Sequence, residues 1–337
     1  MSVVEVQGIS RLSFAQRLRA HIDIARFDRS IDNLFVIPGM VIPLIAMPGR
    51  LDRNILFHLA LAALAVTLVA GSNCVLGELL DAPIDRLHPI KRNRPAALGL
   101  ILPWVAYTQW VAMMVVGVGI GLLVSQRFAV AAVALWAVGC VFNLPPFPAK
   151  RAPFLDVLIE SASNPLRVLL GWYAVTSVLP PAVSLLLCCW MLSCYFVALK
   201  RFSKLSESMN SKITRAYRAS FAHYKPEWLL ASALFYACAG MLFMGAFIML
   251  FRIELMLAFP LVAFTMAVFC KRAFKASAIA AKPNKFYSEP WLVISLSATV
   301  LVLTVLLFVR IPQLERLIKS PLTPSGTHGA ASSLSTN

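Results

Sequence analysis

Long apolar runs set the strongest limit on what this chain can fold into. A membrane-spanning helix needs about 20 mostly apolar residues, and nine runs approach or exceed that length. They lie at 31–48, 55–80, 98–124, 127–146, 154–177, 181–201, 229–251, 253–274 and 289–310. Because a helix satisfies its own backbone hydrogen bonds inside lipid, the sequence predicts an all-α integral membrane protein with about nine transmembrane helices.

The charge of the chain points to membrane partners rather than to nucleic acid. Of the 337 residues, 59% are hydrophobic and 14% are charged, and the formal net charge is +16. Soluble domains are about 45–50% apolar and about 25% charged. The basic residues lie in short connections between the apolar runs, where they set topology. We therefore expect membrane lipids and phosphorylated substrates as partners, and no nucleic acid.

Lysine and arginine are concentrated in alternate connections, beginning with the N-terminal segment. This bias predicts a cytosolic N-terminus and, with an odd number of spans, a periplasmic C-terminus, as in a multi-pass protein of the cell inner membrane. Residues 1–30 are predicted to be an amphipathic cytosolic segment and residues 31–310 the transmembrane domain. Residues 311–337, rich in Ser, Gly and Thr, are predicted to be a disordered tail.

Three carboxylates at the end of the second span form the most informative motif. Glu78, Asp81 and Asp85 are spaced i, i+3, i+7, which puts them on one helical face if the helix continues. Carboxylates in a membrane are costly and usually functional, and oxygen ligands suit Mg²⁺. Basic or titratable side chains suited to a diphosphate follow at once: His88, Lys91, Arg92 and Arg94. The alternative is a charged loop at the membrane edge, and the clustering favours function.

A second polar stripe opens the fifth span. Its members follow a 4, 4, 3 spacing on one helix face: Asp156, Glu160, Asn164 and Arg167. Such a stripe should face a cavity or a partner helix. Asp156 and Glu160 are candidate catalytic groups, and Asn164 and Arg167 are candidate substrate ligands. The alternative is a structural network in which Arg167 pairs with the two carboxylates.

A third region is a long basic connection after the sixth span. Its candidate substrate-binding residues are Lys200, Arg201, Lys204, Tyr217, Arg218 and Tyr224. Cations from such a connection would bind a phosphate group. The alternative is a solvated loop that serves only the topology of the chain.

Together these motifs resemble the UbiA prenyltransferase superfamily over most of the chain. The spacing Glu78-x-x-Asp81-x-x-x-Asp85 matches the family pattern N-D-x-x-D-x-x-x-D except at its head, and H-P-x-K-x-x-R-P follows at 88–95. Within the superfamily the chain looks closest to decaprenyl-phosphate phosphoribosyltransferases. That likeness is carried by 80–83, 88–95, 164–167 with 171–172, 200–202 and 217–224.

The resemblance implies a helical bundle around a central cavity open to the cytosol. It further implies Mg²⁺-dependent transfer from phosphoribosyl pyrophosphate to a polyprenyl phosphate. Asp81 and Asp85, with Glu78, would be the metal ligands, and Asp156 and Glu160 would bind a second metal or the ribose hydroxyls. A rhizobial nodulation protein implicated in arabinosylating lipo-chitooligosaccharide signals is similar to this branch, so the product is expected to supply an arabinosyl donor.

Three positions depart from the pattern. Gly77 replaces an asparagine, Glu78 replaces an aspartate, and Asp32 stands where the branch has a basic residue.

Two other functions are also compatible with the sequence. One is a UbiA-type prenyltransferase that uses a prenyl diphosphate and an aromatic acceptor. The other is a non-enzymatic transporter or scaffold, although the inverted repeats that favour a transporter are not visible.

Overall fold

The computed structural model describes residues 13–27, 33–46, 53–87, 91–208, 224–275 and 290–314, and within these ranges the regular structure is entirely helical. The main helices in chain order are α1 Phe14–Ala25, α2 Val36–Ala46, α3 Arg53–Asp85, α4 Pro103–Val124, α5 Gln126–Asn143, α6 Leu155–Val175, α7 Val183–Ser208, α8 Pro226–Phe251, α9 Phe259–Lys275 and α10 Pro290–Phe308. Short 3₁₀ turns lie at Lys91–Asn93, Ala149–Arg151 and Ile253–Ala258. The predicted all-α class is confirmed.

In the described part of the chain, seven helices are long and apolar enough to cross a membrane. They are α3, α4, α5, α7, α8, α9 with the 3₁₀ turn before it, and α10. Of the other two predicted spans, 31–48 contains the 11-residue α2, and 154–177 contains the 21-residue α6 with its polar stripe. The multi-span character is confirmed, whereas the count of nine stays a prediction.

Helix α3 carries the first carboxylate motif to one end of the bundle. It has 33 residues and continues through Pro83 to Asp85. At 1.5 Å per residue it is about 50 Å long, whereas the hydrocarbon core of a bilayer is about 30 Å thick. The helix is therefore longer than the apolar layer, and Glu78 and Asp81 share one continuous helix with Asp85, as the spacing predicted.

Paired glycines let α2 and α6 pack with their backbones in close contact. A Cβ atom added at Gly39 would lie 2.0 Å from the carbonyl oxygen of Val168, and one added at Gly171 would lie 2.1 Å from that of Val36. Small residues at a helix crossing allow this approach in membrane proteins. The packing fixes α2 against the helix that carries the second polar motif.

Helix α1 packs along α3 and α4 with an amphipathic pattern. Ser13 caps its first turn through a capping box. Ile24 is buried, whereas Leu18 is half exposed. His21 and Gln109 tie the helix to α4, because their side chains lie 2.9 Å apart and Gln109 Nε2 donates to the His21 carbonyl at 2.8 Å. The described part of the amphipathic segment, residues 13–27, is thus a docked helix, and the predicted tail lies mostly outside the described residues.

Candidate active site

The segment after α3 folds back onto the last carboxylate of that helix. Asp85 is fully buried, and Arg94 Nη1 donates to Asp85 Oδ2 at 2.5 Å. Lys91 Nζ lies 3.8 Å from Asp85 Oδ1. The 3₁₀ turn Lys91–Asn93 provides this geometry, with Arg94 N bonded to the Lys91 carbonyl at 3.0 Å. Two cations predicted to bind a diphosphate therefore surround one predicted metal ligand.

Asp81 is paired with a residue that the sequence did not single out. Lys150, in the 3₁₀ turn between α5 and α6, donates from Nζ to Asp81 Oδ1 at 2.6 Å. The same ammonium donates to Asn143 Oδ1 at 3.2 Å. In the sequence Lys150 is only part of a short basic connection. Its position six residues before Asp156 was the one signal that could have drawn attention to it.

Glu78 contributes a carboxylate oxygen that is available for a ligand. The residue is 5% exposed, and its Oε1 atom is buried without a hydrogen-bond partner in the part of the chain that the structure describes. An unsatisfied buried oxygen is costly unless a partner binds there. The described residues contain no group of three or more His, Cys, Asp or Glu that could hold a metal ion. The metal role of Glu78, Asp81 and Asp85 therefore stays a proposal.

Lys91 links the two halves of the site electrostatically. The pKa of Lys91 is lowered to about 8, mainly by burial; Asp85 opposes the shift, and the positive charges of Arg94 and Lys204 add to it. Lys204 belongs to α7, so the end of α7 lies within electrostatic range of the segment after α3. The charges of Lys91 and Lys204 therefore interact at one end of the bundle.

The second carboxylate pair is held by Arg201 of α7. Asp156 is fully buried, and Arg201 Nε donates to Asp156 Oδ2 at 3.1 Å. Arg201 Nη2 also donates to Glu160 Oε2. The structural alternative drawn from the sequence paired these two carboxylates with Arg167, and that pairing is wrong. The correct partner comes from another helix, 45 residues away.

Tyr224 completes the shell around Asp156. Its hydroxyl donates to Asp156 Oδ1 and accepts from the backbone N–H of Phe154 at 2.7 Å. Burial raises the pKa of Tyr224, and the charge of Asp156 raises it further, so the phenol stays a neutral donor. Phe154 has a φ of +63°, a strained conformation for a residue with a side chain. The bond to Tyr224 fixes this strained start of α6.

The inner part of the α6 stripe faces neighbouring helices. Asn164 Nδ2 donates to Ser193 Oγ of α7 at 3.0 Å. Arg167 donates from Nη1 to Ser163 Oγ at 2.9 Å and to Asn164 Oδ1 at 3.2 Å. Its Nε atom donates to Asn33 Oδ1, just before α2, at 3.1 Å. The stripe therefore contacts partner helices, as the spacing predicted.

The remaining predicted ligands divide into two groups. Arg92, Lys200 and Lys204 are exposed at the same end of the bundle. Three others lie outside the described residues: His88, Tyr217 and Arg218.

An apolar cavity lies between α6 and α7. Its volume is about 240 Å³, and its lining residues are Ala162, Pro165, Leu166, Leu169, Leu186 and Trp190. Its α6 lining, from Ala162 to Leu169, lies in the same helical turns as Asn164 and Arg167 of the stripe.

Comparison with known proteins identifies the family. The UbiA prenyltransferase family matches residues 35–297, so the chain belongs to that family, and the predicted transferase superfamily is confirmed. Two curated relatives illustrate its range. The decaprenyl-phosphate phosphoribosyltransferase of Mycobacterium tuberculosis is 25% identical over 205 residues, covering 59% of this chain and 66% of the relative. The mitochondrial 4-hydroxybenzoate polyprenyltransferase of Arabidopsis thaliana is 29% identical over 187 residues, covering 54% of this chain and 44% of the relative.

The chain thus spans just under two thirds of the length of the M. tuberculosis relative. Among solved structures, it resembles a UbiA homolog from Archaeoglobus fulgidus bound to GPP and Mg²⁺. The TM-score is 0.58 at 16% identity, and the likeness covers 87% of this chain and 100% of the homolog. At that identity the likeness establishes the fold.

Proposed function

We propose that this chain is a Mg²⁺-dependent membrane transferase that moves a phosphoribosyl group from phosphoribosyl pyrophosphate to a polyprenyl phosphate. The observation that carries the proposal is the meeting of Asp81 and Asp85 with Lys150, Lys91 and Arg94 at one end of the bundle. Carboxylates and cations in one place can accept a metal and a diphosphate together. The name of the M. tuberculosis relative supports this donor and acceptor.

The oxygen donors of α3 fit Mg²⁺ in their chemistry. Asp81 and Asp85 would hold the ion, and Glu78 would assist through its unpartnered Oε1. Bound there, Mg²⁺ would neutralise charge that builds on the leaving diphosphate. Lys150 and Arg94 now neutralise the two aspartates, and in the complex they would bind phosphate oxygens instead.

The second motif would position the sugar. Arg201 is buried and already bound to two carboxylates, so we assign it the role of orienting Asp156 and Glu160. The Glu160 side chain is 39% exposed, so it would be accessible to the ribose hydroxyls of a bound donor. The exposed Lys200 and Lys204 would bind the sugar 5-phosphate.

The acceptor phosphate is anionic and needs positioning more than a general base. Because the apolar cavity between α6 and α7 is about 240 Å³, only the part of the lipid tail next to the phosphate would occupy it, against Leu169 and Trp190. The site would face the cytosol in the cell inner membrane, with the C-terminus in the periplasm, because the basic connections surround it. By the resemblance described above, the product would feed an arabinosyl donor for glycolipids or lipo-chitooligosaccharide signals.

A second candidate is transfer of a prenyl group from its diphosphate to an aromatic acceptor. The name of the A. thaliana relative favours it, and the same carboxylates and cations would serve. In that reaction the diphosphate sits on the lipid, and the acceptor is a small ring.

A two-donor assay on the purified protein separates these reactions. Labelled phosphoribosyl pyrophosphate with a polyprenyl phosphate should give a labelled lipid in Mg²⁺, and a chelator should abolish the product. A prenyl diphosphate with 4-hydroxybenzoate should give none. Glu227→Ala removes an exposed carboxylate on the first turn of α8, outside the proposed site, and should retain activity as a control for loss of a carboxylate. Turnover of the aromatic pair alone would refute the proposed donor.

A further inference from the structure

The side chain of Asn143, the last residue of α5, faces Gly77 of α3. A Cβ atom added at Gly77 would lie 3.5 Å from Asn143 Oδ1 and 3.7 Å from its Nδ2. A Cβ there would make ordinary contact, and a side chain that continued from it toward Asn143 would enter the space that this carboxamide fills. The missing side chain of Gly77 and the presence of Asn143 are therefore two parts of one arrangement.

The orientation of this carboxamide is fixed by its own helix. Asn143 is 9% exposed, and its Nδ2 donates to the Gly139 carbonyl at 3.0 Å. That bond leaves Oδ1 as the acceptor for Lys150 Nζ at 3.2 Å. The same ammonium binds Asp81 at 2.6 Å. A continuous set of contacts thus runs from the end of α5, through Lys150, to the carboxylate of α3.

We propose that Asn143 is a positioning residue that holds the Lys150 ammonium against Asp81, supplying from α5 a carboxamide for which Gly77 makes room. A lysine is a flexible point charge, so an acceptor beside it limits the positions that its ammonium adopts. The consequence for catalysis rests on the proposed function, because Lys150 is the cation assigned there to the donor diphosphate. The positioning itself is independent of any reaction.

Chemical labelling tests the positioning without substrate. The purified protein is acylated briefly at lysine, and the rate at Lys150 is compared by mass spectrometry with the rate at the exposed Lys225. In Asn143→Ala the relative rate at Lys150 should rise about tenfold, as expected when a hydrogen bond to a charged group is lost. Asn143→Asp keeps an acceptor for the ammonium, so Lys150 should still be acylated slowly in that variant. The exposed Asn54→Ala is the control. Equal labelling of Lys150 in Asn143→Ala and the unmodified protein would overturn the proposal.

A side-chain swap tests the consequence for transfer. Asn143→Ala should raise the KM for phosphoribosyl pyrophosphate about tenfold and change kcat less. Gly77→Asn should also impair the enzyme, because two carboxamides then compete for one space. The double variant Gly77→Asn/Asn143→Ala should recover most of the loss. A double variant as poor as the worse single variant would contradict the shared space. If the unmodified protein uses neither donor, the proposed function fails, and the labelling still decides the positioning.

Discussion

Lys150 Nζ donates to Asp81 Oδ1 across 2.6 Å, although the two residues are 69 positions apart in the chain. The contact joins the turn between α5 and α6 to the last turns of α3. It neutralises one of the two aspartates that are proposed to bind the metal, as Arg94 does for the other. Each of these two aspartates therefore has a cation beside it that is available to a phosphate.

Replacing Lys150 should weaken donor binding. Lys150→Ala removes a charge that would bind the diphosphate, so the KM for phosphoribosyl pyrophosphate should rise about 10–100-fold. The adjacent Arg151 is exposed, and Arg151→Ala is the matched control. Steady-state kinetics with a labelled donor would measure both variants. Similar KM values in the two variants would remove Lys150 from the site.

Replacing Arg201 should destabilise the protein. Arg201→Met leaves the buried Asp156 without its cation, a change that costs about 3–5 kcal/mol in comparable buried pairs. Lys200→Met, one residue earlier and exposed, should change stability by less than about 0.5 kcal/mol. Thermal unfolding of the two variants in detergent gives the comparison. Equal melting temperatures would show that the Arg201 pair does not stabilise the fold.

Removing the hydroxyl of Tyr224 should loosen the start of α6. Tyr224→Phe takes a donor from Asp156 and an acceptor from the Phe154 N–H, which should cost about 1–3 kcal/mol. Tyr107→Phe, at a tyrosine that is 42% exposed, should be close to neutral. Hydrogen exchange at the Phe154 amide should quicken only in Tyr224→Phe. Unchanged protection there would argue against the role given to this hydroxyl.

The glycine contact between α2 and α6 should not tolerate a methyl group. Gly171→Ala forces a Cβ to within 2.1 Å of the Val36 carbonyl, so the helices must separate, at a cost of about 1–3 kcal/mol or more. Gly119→Ala, in α4, meets nothing within 4 Å and should be neutral or slightly stabilising. Melting temperatures measured side by side provide the test. A Gly171→Ala protein as stable as Gly119→Ala would mean that the helices are not in such close contact.

The sequence predicted those parts of the site that depend on spacing within one helix. Hydropathy located the long helices, and the i, i+3, i+7 pattern placed Glu78, Asp81 and Asp85 on one continuous helix. The sequence patterns did not predict which side chains from different helices contact one another. Nothing local in the chain pairs Arg201 with Asp156 or Lys150 with Asp81, because such pairs depend on how distant helices pack.

The role of Gly77 also could not be predicted from the sequence. In the sequence it is only a missing side chain, and its role depends on Asn143, which lies in another helix.

The span count was equally hard to predict, because hydropathy alone does not separate the short α2 and the polar-striped α6 from ordinary transmembrane helices.

The most direct test of the metal-assisted transfer is turnover by aspartate variants. Asp81→Ala, Asp85→Ala and the double variant would be purified from membranes and supplied with labelled phosphoribosyl pyrophosphate, a polyprenyl phosphate and Mg²⁺. We predict that each single variant loses nearly all transfer and that the double variant forms no labelled lipid, while all three remain in the membrane. Near-normal, Mg²⁺-dependent turnover by the double variant would contradict the account.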